Sequence, residues 1–338
     1  MRQLPGLELD RLSRYLDRVL DGFTRRPLDG AIISGGLSNL TYVVSDGERS
    51  FVVRRPPLGQ VLPTAHDMAR EHRILAALRD SAVPVPHVYL LCEESSVIGA
   101  PFYVMEYVAG TTYRSADDLK PIGESRTAAI ARRFTQTLVT LHAVVASEIG
   151  LSNFGRPEGF LERQVRRWKK QLDASYSRPV AGADELHDEL ARSVPSTDAP
   201  PAIVHGDYRL DNLLIDEADN VAAVVDWEMA TIGDPLTDVA LILAYEQLAR
   251  LDSTIADACV APGFLTGHDF LDAYSSASGR TVEHIGFYVG LASYKLAALL
   301  EGIHYRHLHG QMPASVFAGV GPAVEELIAF GLRAVTTP

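Results

Sequence analysis

The sequence predicts an α+β fold of two lobes: a small, mostly antiparallel β lobe with one important helix over residues 1–107, and a larger, mainly helical lobe over residues 108–338. Three observations predict it. Short apolar and β-branched runs bounded by Gly, Pro and Asp crowd the first third of the chain. Beyond about residue 110, apolar residues recur at helical spacing. Between these helical stretches lies one strand–turn–strand segment, residues 212–226, with polar residues gathered at its ends. A chain of 338 residues is long enough for two such lobes with a substantial core.

Taken in order, Leu9, Leu12, Leu16, Val19 and Phe23 fall at helical spacing and predict an N-terminal amphipathic helix. Ile32-Ile33 begins a strand that Ser34-Gly35-Gly36-Leu37-Ser38-Asn39 interrupts. Thr41–Val44 and Phe51–Val53 read as strands joined across Asp46-Gly47, a common hairpin-turn pair. Pro56-Pro57 ends that run, and His66–Arg79 reads as a helix. Val83-Pro84-Val85-Pro86 is an extended connector. Val88–Cys92 and Phe102–Tyr107 form a further strand pair, and Ala109-Gly110-Thr111 marks the lobe boundary. Ile130, Phe134, Leu138, Leu141 and Val145 then build one buried helix stripe. Phe160–Leu172 reads as a helix with a basic face, and Ala181–Thr197 is weakly patterned. After the hairpin come helices around Val239–Leu251, Gly267–Ser276, Ile285–Tyr305 and Ala314–Ala334.

Composition narrows the class. Hydrophobic content of 47% and charged content of 22% suit a globular protein. The formal net charge of −12 argues against nucleic acid as a partner, because a phosphate backbone needs a cationic footprint. Cys92 and Cys259 are too few for a disulfide framework or a cysteine metal site. The N-terminus lacks the pattern of a signal peptide, and no uncharged apolar run approaches the ~20 residues of a membrane span. The expectation is a cytoplasmic enzyme with no membrane partner; the oligomeric state is not legible.

The chemistry concentrates in His205-Gly206-Asp207-Tyr208-Arg209-Leu210-Asp211-Asn212 and in Asp226. An Asp five residues before an Asn lets one loop position an acceptor hydroxyl and hold a metal ion. Asn212–Ile215 reads as a strand, Asp216–Asn220 as a turn and Val221–Val225 as the return strand, which would set Asn212 beside Asp226. A side-chain carbonyl and a carboxylate are hard oxygen ligands suited to Mg²⁺ that also takes nucleotide phosphates. Asp207 would orient the substrate hydroxyl and accept its proton.

Other candidates support that loop. Gly35 and Gly36, with Ser38 and Asn39, form a loop between strands whose backbone can approach phosphates closely. Met68, Glu71, Leu75 and Leu78 share one helix face, and a carboxylate in an apolar stripe needs a cationic partner. Arg54 at the end of the Phe51–Val53 strand is the candidate to hold the α/β-phosphates, with Arg55 as the alternative because strand phase is open. Main-chain groups of Glu106 and Val108 could meet the edge of a nucleotide base. Asp238, opening an apolar helix, reads as structural support that caps the helix or braces the catalytic loop. His142 reads as a packed core histidine. Arg163, Arg166, Arg167, Lys169 and Lys170 read mainly as a solvated face, with a platform for an anionic substrate as the functional alternative.

This ordered set resembles the aminoglycoside-phosphotransferase-like kinase family, which also includes choline kinases. Leu37-Ser38-Asn39-Leu40-Thr41-Tyr42, Val225-Asp226-Trp227-Glu228 and Gly233-Asp234-Pro235 resemble the branch containing kinase domains fused to some acyl-CoA dehydrogenases, which act on hydroxyacyl-CoA compounds. The resemblance implies a bilobal protein-kinase-like fold, ATP or GTP as phosphoryl donor, Mg²⁺, and a small-molecule hydroxyl acceptor. It departs from the family at Arg54, where a lysine is usual; an arginine fork is geometrically different from a point-charge ammonium. The implied acceptor is a hydroxyacyl-CoA or hydroxy acid, with an aminoglycoside or a choline-like amino alcohol as the alternative. A nucleotide-binding module without transfer activity is the reading from another class.

Overall fold

The computed structural model describes residues 4–33, 39–59, 66–175, 177–196, 199–251, 257–309 and 320–337. Gly35, Gly36 and Ser38 lie outside the described residues, as does the expected start of the last helix at Ala314. The elements begin with α1 (Leu9–Val19), β1 (Asp29–Ile32), β2 (Leu40–Ser45), β3 (Ser50–Arg55), α2 (Met68–Leu78), β4 (Val88–Cys92), the single turn α3 (Ser95–Ile98) and β5 (Phe102–Glu106). Then follow α4 (Ala116–Leu119), α5 (Glu124–Ala143), α6 (Phe160–Ala174), α7 (Ala183–Arg192), β6 (Ala202–Val204), β7 (Leu213–Ile215), β8 (Val221–Val224) and β9 (Thr231–Gly233). The chain ends with α8 (Leu236–Ala249), α9 (Gly267–Ser278), α10 (Ile285–Leu308) and α11 (Val320–Thr336). They form two compact units, residues 1–110 with Ala222–Glu228, and Thr111–Val221 with Met229–Pro338.

The first unit is built on an antiparallel sheet of order β1-β2-β3-β5-β4. β3 is central and covered on both faces, which is why Phe51-Val52-Val53 is continuously apolar. Side chains alternate along it. Phe51 and Val53 join Leu12 and Leu16 of α1 in the core on one face. Val52 and Arg54 take the other face. α2 begins with Asp67 accepting the Arg70 N–H at 3.0 Å, an N-cap that satisfies one orphan donor of the first turn. It buries Met68, Glu71, Ile74, Leu75 and Leu78. The Ala222–Glu228 segment is attached to this unit through the Val224 N–H, which donates to the Pro84 carbonyl at 2.8 Å.

The second unit is helical. α10 is buried nearly all round and packs on α6, α7, α8 and α11, as a helix apolar on every side must. In α5, Ile130, Phe134, Leu138 and Leu141 form the expected buried stripe. Val145 does not extend it: the helix ends at Ala143 and Val145 is 51% exposed. β6 and β9 pair antiparallel in a three-residue ladder that runs too short to show a sequence period. Asn212 closes the 3₁₀ turn Leu210–Asn212 rather than beginning a strand, so β7 starts one residue later than expected. Among the described residues, no helix is long and apolar enough to cross a membrane.

Candidate active site

In the first unit, strand phase assigns the two arginines. Thr41 lies opposite Arg54 and Leu40 opposite Arg55, so the two side chains leave the sheet on opposite faces. Arg54 Nε donates to Glu71 Oε2 at 2.8 Å, Nη1 to Thr41 Oγ1 at 3.2 Å and Nη2 to Asp226 Oδ1. Arg55 donates to the carbonyls of Gly6 at 2.6 Å and Ile98 at 2.8 Å, which ties it to the α1 side. Glu71 also receives the Tyr103 hydroxyl at 3.0 Å and the Asn39 amide at 2.9 Å. The same amide donates to Glu228 Oε2 at 3.0 Å. Burial alone would favour loss of the Arg54 proton, but Glu71 and Asp226 outweigh it and hold the guanidinium charged. Burial pushes the Glu71 carboxyl above its ordinary range against the pull of Arg54.

Asp226 adopts φ +68°, a left-handed conformation that non-glycine residues rarely take and that Asp tolerates better than most. Arg54 engages one of its carboxylate oxygens. Glu106 donates its N–H to the His87 carbonyl at 2.7 Å, so that donor is already engaged. Val108 follows β5, half-buried.

In the second unit, the catalytic-loop sequence follows from its hydrogen bonds. Asp238, fully buried at the start of α8, receives the N–H groups of His205 at 2.7 Å and Gly206 at 2.8 Å. The loop-bracing reading of Asp238 therefore holds, and its carboxylate makes no side-chain cap on α8. Gly206 sits at φ +82°, and a Cβ there would lie 2.7 Å from the Met229 carbonyl, so this position requires glycine. His205 Nδ1 accepts the Asp207 N–H at 3.2 Å, which explains a histidine two residues before the aspartate. His142 is the expected core histidine, 2% exposed and bonded to Tyr274 at 2.8 Å and Asp238 at 3.3 Å. Burial would raise the Asp238 carboxyl, yet His142, His205 and the Gly206 N–H hold it below its ordinary range.

Asp207 itself is partly exposed. Tyr245 donates its hydroxyl to Asp207 Oδ1 at 2.7 Å, and the Asn212 amide donates to the Asp207 carbonyl at 2.8 Å and to Oδ2 at 3.2 Å. Both donations come from the side-chain nitrogen of Asn212. Arg209 Nε stands 3.8 Å from Asp207 Oδ2, with another arm on Asp211 at 2.5 Å and its guanidinium 5.2 Å from the Tyr245 ring. Burial would raise the Asp207 carboxyl, but Arg209, Tyr245 and Lys295 together hold it below the ordinary carboxylate range. Burial and the neighbouring Asp207 push the Tyr245 hydroxyl far up, so it stays a donor.

Tyr245 and Lys295 went unread in the sequence, since each sits in an apolar helix without a motif. Lys295 on α10 donates to the Gly206 carbonyl, and its ammonium lies 5.3 Å from the Trp168 ring. The basic α6 helix divides: Arg163 binds the Glu158 and Arg156 carbonyls, Lys169 pairs with Asp173 and Asp184, and Arg167 faces Trp168 at 4.9 Å.

Comparison with known proteins gives this geometry its context. The profile of the phosphotransferase enzyme family matches residues 29–274. Acyl-CoA dehydrogenase family member 11 of Gallus gallus is 32% identical over 340 residues, covering 95% of this chain and 43% of its own length. The chain thus spans less than half of that relative. A crystal structure of an aminoglycoside phosphotransferase candidate from Ralstonia eutropha has a TM-score of 0.80 at 29% identity, covering 96% of this chain and 98% of that one. A thermostable mutant of aminoglycoside phosphotransferase APH(4)-Ia, solved with AMP-PNP and hygromycin B, has a TM-score of 0.62 at 18% identity, over 94% of this chain and 98% of that one. The last is a likeness of fold.

Proposed function

The chain belongs to the phosphotransferase enzyme family, and from that premise we propose that it moves the γ-phosphoryl group of ATP or GTP to a hydroxyl of a small molecule. The observation that carries the reading is the setting of Asp207: a partly exposed carboxylate, held ionised by Arg209, Tyr245 and Lys295, on a loop fixed by Asp238. Such a group is a weak base. Phosphoryl transfer passes through a loose transition state in which the acceptor proton leaves late, so orientation of the hydroxyl matters more than basicity. Asp207 orients the hydroxyl and takes its proton as the oxygen–phosphorus bond forms and the bond to the nucleoside diphosphate breaks.

The donor side rests on the first unit. Arg54, steered by Glu71, presents a guanidinium suited to the α/β-phosphates. Main-chain groups of Glu106 and Val108 are the candidates for the base edge. The side-chain oxygens of Asn212 and Asp226 suit Mg²⁺, which when bound neutralises charge on the transferring phosphates. Gly35, Gly36, Ser38 and Asn39 remain the phosphate-loop candidates by their sequence.

For the acceptor we favour a hydroxyacyl-CoA or related hydroxy acid, supported by the similarity to acyl-CoA dehydrogenase family member 11. The amino-sugar alternative draws on the fold likeness to a hygromycin B complex. The test is transfer from γ-labelled ATP and, separately, GTP, with Mg²⁺, to a panel of hydroxyacyl-CoA thioesters, aminoglycosides and amino alcohols. Transfer to the thioesters, absent with Asp207→Ala, is the expected result. Nucleotide binding without transfer to any class would favour a non-catalytic module.

A further inference from the structure

Beside the catalytic loop, α6 and α10 enclose a pocket in the second unit, bordered by Gln164, Arg167, Trp168, Gly206, Tyr288 and Lys295. Its charge balance is unusual. Asp238 is the carboxylate that reaches its lining, and both of its oxygens are engaged by the His205 and Gly206 N–H groups, with His142 on one of them. Among the described residues, Lys295 and Arg167 form no ion pair within 4.0 Å; Asp207 and Asp238 act on Lys295 only through space. The two cations lie 5.3 Å and 4.9 Å from the same Trp168 ring. A ring face attracts each cation but does not neutralise either, and two like charges in one pocket repel. An anion relieves that repulsion and gains charge-assisted hydrogen bonds from both. Gln164 and Tyr288 add neutral polar edges; Tyr288 already donates to Asp234 Oδ2 at 2.7 Å.

The pocket shares the Gly206 peptide with the catalytic loop, one residue before Asp207. An anion held at Lys295 therefore belongs to the molecule whose hydroxyl meets Asp207. A polycationic amino sugar would find two positive charges here and no unengaged carboxylate.

We infer that Lys295 and Arg167 form an anion-binding subsite over Trp168 that takes an anionic oxygen of the acceptor and selects against cationic acceptors. This inference rests on the kinase reading for its assignment to the acceptor. The anionic oxygen has two sources, the carboxylate of a free hydroxy acid or a phosphate of its CoA thioester.

Calorimetry with 3-hydroxybutyrate, 3-hydroxybutyryl-CoA and hygromycin B, each with AMP-PNP and Mg²⁺ present, tests it. The wild type is expected to bind an anionic probe more tightly than hygromycin B. Lys295→Ala and Arg167→Ala should each weaken that probe about tenfold or more, the worth of one hydrogen bond to a charged group. Lys295→Arg should retain most of the affinity. Arg167 is exposed at the pocket edge, so Arg167→Ala keeps the test valid should Lys295→Ala misfold. Binding of the thioester alone assigns the carrier phosphates, and binding of the free acid assigns the carboxylate. Failure of both anionic probes to bind, unchanged affinity in both alanine variants, or preference for hygromycin B overturns the subsite. Anion binding lost in the variants without transfer from ATP would overturn the kinase reading and leave the subsite standing. Transfer to a thioester with wild-type affinity in both alanine variants would do the reverse.

Discussion

Tyr245 donates its hydroxyl to Asp207 Oδ1 at 2.7 Å across 38 residues of sequence. This bond restrains one oxygen of the carboxylate while Asn212 touches the other, and it helps hold Asp207 ionised. Tyr245→Phe removes the donor and keeps the ring. The Asp207 carboxyl should then rise, moving the acidic limb of the kcat profile to higher pH. We expect kcat to fall about tenfold, part of the roughly 10²–10⁴ that a positioned acid–base group supplies. A pH–rate profile superimposable on the wild type would mean that Tyr245 does not tune Asp207.

The Arg54–Glu71 pair makes a stability prediction. Both side chains are buried, 10% and 2% exposed. Glu71→Ala leaves the guanidinium buried with one carboxylate partner fewer, and breaking a buried pair costs about 3–5 kcal/mol. Urea unfolding should show that loss, together with a raised KM for the nucleotide. A change below about 1 kcal/mol would mean the surroundings solvate Arg54 without Glu71.

That pair also marks how far the sequence could be read. A carboxylate in the apolar face of α2 demanded a cation, so Glu71 and a neighbouring arginine were legible. Which arginine pairs with Glu71 was not legible, because strand phase was open; the structure puts Arg54 Nε on Glu71 Oε2 at 2.8 Å and Arg55 on the opposite face. The catalytic loop was legible because His205, Gly206 and Asp207 act on one another locally. Asp238 was legible as a brace, though its two backbone partners were not. Tyr245 and Lys295 were hidden because a tyrosine or lysine within a long apolar helix has no local signature; only packing brings residue 295 to residue 206. Val145 failed in the opposite sense. It kept the helical period after the chain had left the helix.

Asp238 should make stability depend on acid. Its folded carboxyl lies below the ordinary range, so around pH 4 the folded chain binds fewer protons than the unfolded one. The resulting stabilisation is complete above the ordinary carboxylate value of about 3.9 and is lost as pH falls through the depressed value. Asp238→Asn removes this contribution and points an amide at the His205 and Gly206 N–H groups, costing about 1–3 kcal/mol at neutral pH. Urea midpoints across the acidic range should show wild type and variant converging as pH falls. A constant gap would contradict it.

Lys295 predicts a second pH dependence. Burial pushes its ammonium down to about 8 against the pull of Asp207 and Asp238. The groups around it are Arg167 and Trp168 on α6, Gly206 and Asp207 on the loop, Asp238 on α8 and Tyr288 on α10. Burial raises the Tyr288 hydroxyl far above this range. The charged lysine is present below about pH 8, so affinity for 3-hydroxybutyryl-CoA should decline as pH rises through that value. Lys295→Arg should flatten the decline, because arginine keeps its proton. An equal decline in both proteins would place the titration elsewhere.

In the proposed reaction Asp207 handles the acceptor while other residues hold the nucleotide. The direct measurement is nucleotide affinity and γ-phosphoryl transfer in parallel for wild type and Asp207→Ala, using the best acceptor of the panel. Transfer by Asp207→Ala is expected to fall by at least about 10²-fold, with ATP affinity within a few-fold of wild type. An Asp207→Ala protein that transfers at the wild-type rate would contradict it.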